Sequence, residues 1–75
     1  MTTTDLVIDR ALALSDLNAD TDSAVQELLT IVGEHRVSVV MARQRLLERL
    51  TSEPDNRQVV GAADLLEAVL GRLPV

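Results

Sequence analysis

This chain has no Phe, Tyr, Trp or Cys in 75 residues, so any core it builds must come from Leu, Val, Ile, Ala and Met. Such a short chain buries only about 60% of its unfolded surface. It therefore makes one domain, 1–75, with a thin stability margin that self-association would supplement. The missing rings also exclude recognition by base stacking on aromatic side chains, leaving only guanidinium planes for that role. Aromatic cages and grooves for polyproline segments are excluded on the same ground. Without cysteine there is neither a disulfide framework nor thiolate chemistry.

The aliphatic residues recur with helical periodicity in four segments. Val7, Ala11 and Leu14 make the first stripe, with Ile8 and Leu12 beside it, and Thr4 is placed to cap a helix over 5–17. Val25, Leu28, Leu29 and Val32 make the second. Ser23 and Gln26 have capping-box spacing, although Asp20 and Asp22 compete for the cap, and Gly33 is a stop signal. The third stripe is Val39, Ala42, Leu46 and Leu50, flanked by Met41 and Leu47. A start at Ser38 would put Val37 and Ala42 at hydrophobic-staple positions, and the helix must stop before Pro54. The fourth opens at Asp55, with Gln58 at capping-box spacing, and runs through Val59, Ala62, Ala63, Leu66, Val69, Leu70 and Leu73 to Pro74. The small run Gly61-Ala62-Ala63 would let a neighbouring helix come close. No strand pattern competes, and the short loops predict roughly antiparallel neighbours. The expected fold is all-α, a small four-helix bundle.

Charge is segregated along this pattern. All seven basic residues are Arg. Residues 1–34 carry a net −6 and residues 36–57 a net +2, within a total of −5. Arg36, Arg43, Arg45, Arg49 and Arg57 thus concentrate in and around the third helix. Arg45 and Arg49, four apart, share one side of it. Either these arginines are a solvated face balanced by carboxylates, the opening helix included, or they form a ridge for an anionic partner. A helix-turn-helix DNA reader fits poorly, because the fourth helix sets Asp64 and Glu67 against Arg57 and Arg72.

Catalytic hardware is not visible. His35 is the single histidine, without close metal-ligand or nucleophile partners in the sequence, and reads as a polar loop residue. No nucleotide-binding glycine motif occurs. The Asn18–Ser23 turn is similar to the prosthetic-group turn of acyl carrier proteins, but those place a whole helix and a long loop before it. A helix cap accounts for the residues here. The reading is a non-enzyme with no metal, cofactor or prosthetic group. The acidic N-terminus has no basic leader, and no apolar run approaches the roughly 20 residues of a membrane span, so a cytoplasmic protein is expected.

From Gln26 to Pro74 the chain resembles the ANTAR domain, the RNA-binding antiterminator module of bacterial regulators. The matching residues are Gln26, Ile31, Val32, Glu34-His35-Arg36-Val37-Ser38, Ala42, Leu46, Asn56-Arg57, Val59 and Ala62-Ala63. The family usually carries an aromatic residue where Arg43 stands, and a Lys in the first helix of the module that Gln26-Glu27-Leu28-Leu29 lacks. The resemblance implies a three-helix core over 22–74 behind an N-terminal helix, and a role in transcription antitermination. It implies that Arg36, Arg43, Arg45, Arg49 and Arg57 meet phosphates of a structured RNA hairpin, with Asn56 adding a polar contact. It also implies a homodimer formed through the segment before the module, for which 5–17 would serve. The alternative is a protein-interaction or dimerisation module, docking a helical protein partner without contacting nucleic acid.

Overall fold

The computed structural model describes residues 2–33 and 35–73. Four helices follow one another: α1 (Thr3–Asp16), α2 (Thr21–Val32), α3 (Arg36–Ser52) and α4 (Arg57–Arg72). They pack as an all-α bundle about one core with Cα extents of 31 × 23 × 23 Å. α3 and α4 form the most extensive pairing, α1 lies against both, and α2 scarcely touches α3.

The core is aliphatic throughout. Leu28, Leu46 and Leu66 are its largest fully buried side chains, among Val7, Val25, Val32, Val39, Val59 and Val69. α1 is therefore part of the core, because its Val7, Ala11 and Leu14 are buried with the side chains of the other three helices. The expected stripes make the core, except that Leu29, Leu50 and Leu70 are only partly buried and pack against it. Ala24 and Leu65 join them, having been passed over because each sits at the edge of its stripe. Thr4 is also buried.

Three of the four helix starts differ from the expected caps, and at α2 Asp20 prevails over Ser23. α1 is capped by Thr2, whose Oγ1 accepts from the Asp5 backbone N–H at 3.2 Å while Asp5 accepts from the Thr2 backbone N–H at 3.3 Å. This box outcompetes Thr4, which faces inward. Asp20 caps α2 by accepting from Ser23 N–H at 3.3 Å. α3 begins at Arg36, with His35 at the N-cap and no side-chain bond there. Val37 is 71% exposed and so makes no staple. Asn56, rather than Asp55, caps α4 by accepting from Val59 N–H at 3.3 Å. Gln58, freed from any capping box, donates instead from Nε2 to the Leu12 carbonyl at 3.1 Å, tying α4 to α1. α3 ends at Ser52, before Pro54. Pro74, the expected end of α4, lies outside the described residues; the helix itself closes at Arg72 with Leu73 as C-cap.

Two turns use unusual backbone. Gly33 ends α2 at φ +60°, with its N–H bonded to the Leu29 carbonyl at 2.8 Å. Asn18 takes φ 57° after α1, a region that Asn tolerates better than most side chains.

Candidate interaction surfaces

Of the six residues expected to face RNA, Arg43, Arg45, Arg49 and Asn56 are engaged within the molecule. Arg45 NH1 reaches Asp5 Oδ1 of α1 at 3.2 Å. Arg49 Nε donates to Glu53 Oε2 at 2.8 Å, four residues along its own helix. Arg43 NH2 stands 4.0 Å from Glu67 of α4, and its Nε is buried with no hydrogen-bond partner among the described residues. Asn56 is engaged twice, as the cap of α4 and by donating to Glu53 Oε1 at 3.2 Å. Arg36 and Arg57 are exposed, and neither has an ion-pair partner among the described residues. Arg36 sits at the start of α3 and Arg57 at the start of α4, with the length of α3 between them.

Two further arginines tie the acidic half down. Arg10 of α1 pairs with Glu27 of α2, and Arg72 of α4 reaches Asp22 of α2 at 2.7 Å. The carboxylates feel these networks. Hydrogen bonds from Thr2, and then the Arg45 charge, hold Asp5 below its ordinary 3.8. The hydrogen bond from Arg49, and after it that from Asn56, lowers Glu53 from 4.5. Charge segregation in the sequence thus resolves partly into contacts within the molecule.

The helices also leave some apolar side chains uncovered. A groove of about 720 Å³ runs between α1 and α2, lined by Leu6, Ala13 and Ile31 with Thr30, and rimmed by Asp9 and by the Arg10–Glu27 pair. Leu6 is 46% exposed and Ile31 36%. On α3, Val40 and Leu47 are exposed at 43% and 41%. They alternate with Arg36 and Arg43 at spacings of four, three and four, so the four lie along one face of the helix. The periodicity had marked Leu47 as a flank of the α3 stripe, but the α1–α2 groove was missed. Its Leu6, Ala13 and Ile31 fall outside the core stripes, and an apolar residue off a stripe is the signal that could have found it.

Among the described residues, no group of three or more His, Cys, Asp or Glu is placed to hold a metal ion. No helix among them is long and apolar enough to cross a membrane. His35 is exposed at the start of α3. No protein-family model, no curated protein and no solved structure matches this chain.

Proposed function

We propose that this chain is a non-enzymatic protein-interaction module of the cytoplasm, working through apolar helix faces rather than by presenting its arginines to RNA. The α1–α2 groove carries this reading: Leu6, Ala13 and Ile31 offer an apolar floor, and Asp9 sets an acidic edge beside the Arg10–Glu27 pair. Amphipathic helices are bound in such grooves, with apolar anchors giving affinity and rim charges giving orientation. A photo-crosslinking residue at Ile31 should capture protein in cells, and the same residue at Arg57 should not capture RNA. Failure to crosslink protein from the groove would remove the proposal.

A second reading keeps the ANTAR resemblance, with antitermination through a structured RNA. Its support is the pair Arg36 and Arg57, exposed without ion-pair partners among the described residues, and the positive balance of residues 36–57. Each lost phosphate contact flattens the log–log salt dependence of RNA affinity by about one unit. An Arg36→Ala/Arg57→Ala variant should therefore show a slope reduced by about two on this reading. On the protein-interaction reading, the unaltered chain binds no structured RNA even at low salt.

A further inference from the structure

We propose that the α1 face bordering the groove is a docking site for the exposed stripe of α3 on a second copy of this chain, the two helices running antiparallel. This rests on the protein-interaction reading and names its partner. The argument is register and charge. On α1, Leu6, Asp9, Ala13 and Asp16 fall at spacings of three, four and three, so they share one exposed face that reads apolar, acid, apolar, acid. On α3, Arg36, Val40, Arg43 and Leu47 share one face that reads base, apolar, base, apolar. In both helices the apolar residues are seven apart, about 10.5 Å along the axis.

Laid antiparallel, Leu47 meets Leu6 and Val40 meets Ala13. The same alignment sets Arg43 against Asp9 and Arg36 against Asp16. The charged pairs are offset from the apolar ones by a single residue, about 1.5 Å, well within the reach of an Arg side chain. The parallel alignment that matches the apolar pairs keeps Arg43 against Asp9 but sets Arg36 against Thr2 and Asp16 against the half-buried Leu50, so it makes one charged pair where the antiparallel one makes two. Neither Asp9 nor Asp16 is committed to an ion pair among the described residues. The Arg43–Glu67 contact is at 4.0 Å, so although Arg43 Nε is buried, its terminal nitrogens are only loosely paired at home. In this register Arg43 also lies level with Arg10, whose charge is offset by its pair with Glu27. Each copy carries both faces, so the contact closes as a dimer where α1 and α3 of the two copies pair reciprocally about a two-fold axis, and propagates where they pair head to tail.

Sedimentation of the full chain over a concentration series tests this directly. The mean mass should rise with concentration. The rise should weaken as salt goes from about 0.1 to about 1 M, which shortens the screening length from about 10 to about 3 Å. Asp9→Arg and Arg43→Glu should each weaken association at least tenfold in Kd, roughly the effect of one like-charge contact. Mixing the two variants should restore association, because the swapped charges again oppose each other. Asp16→Arg and Arg36→Glu make a second pair on exposed positions, should Arg43→Glu disturb the α3–α4 contact. A monomer at roughly 1 mM, or association without rescue in either mixture, would overturn the proposal. If the Ile31 crosslinker then still captured other proteins, the interaction reading would stand with a different partner. If it captured none, both would fall.

Discussion

Asn56 holds the turn between α3 and α4 in two directions, accepting from Val59 N–H and donating to Glu53. Removing an N-cap side chain costs about 1 kcal/mol, which lowers Tm by roughly 4–8 °C in a domain of this size. Asn56→Ala should show that loss in a thermal melt, whereas Asp55→Ala should stay within about 0.5 kcal/mol. At the other end of the chain, Asp5 closes the α1 capping box and accepts from Arg45. Its pKa is lowered by folding, chiefly through the Thr2 hydrogen bonds. A depressed carboxylate contributes stability above its unfolded pKa and loses it as the pH falls through the folded value. The stability difference between the native chain and Asp5→Asn should therefore be present in urea titrations at neutral pH and shrink steadily below the ordinary 3.8. A difference independent of pH would show that folding leaves the Asp5 pKa where it is in the unfolded chain.

At the scale of the element, α1 and α4 meet where a Cβ on Gly61 would lie 2.3 Å from Ser15 Oγ and 3.4 Å from its Cβ. The glycine therefore costs helix propensity, roughly 1 kcal/mol against Ala, and in return lets the helices close up. Only the hydroxyl oxygen is in the way, so the double variant Ser15→Ala/Gly61→Ala should gain up to about 1 kcal/mol in chemical denaturation, while Gly61→Val should destabilise the bundle. The approach itself was legible in the run Gly61-Ala62-Ala63, as were the four buried stripes, because the 3.6-residue period of aliphatic residues is imposed by the core. The caps were less legible. Thr2, Thr4, Asp20, Ser23, Asp55 and Asn56 can all cap, and which one does depends on where the helix axis meets its neighbours. The surfaces were least legible. Arg45 and Arg49 do share a flank of α3, but whether a guanidinium faces solvent or a carboxylate forty residues away is decided by packing. Asp5 is that carboxylate for Arg45.

For the whole molecule, the sequence offered two destinations for its segregated charge: an anionic partner, or its own acidic half. The bundle uses the second for three inter-helix pairs, Arg10–Glu27, Arg45–Asp5 and Arg72–Asp22. All three are substantially exposed, and pairs of that kind contribute about 0–1 kcal/mol each. They set how the helices are oriented more than how tightly they hold. Cohesion comes from the aliphatic core, which has no large ring to fill it and depends on close packing of Leu, Val and Ala across all four helices. At about 0.05–0.15 kcal/mol per residue, a domain this size has a total stability of roughly 4–11 kcal/mol. Truncating a fully buried Leu costs about 2–5 kcal/mol. Leu66→Ala should therefore consume much of the total and leave a chain that is partly unfolded at 37 °C by circular dichroism. Glu27→Gln, which removes the α1–α2 ion pair at a 37% exposed side chain, should leave the melt within about 1 kcal/mol of the native chain. The reverse ranking would mean that electrostatics carries the fold, and that the apolar groove beside Glu27 is held open by charge rather than left over by the geometry of the core.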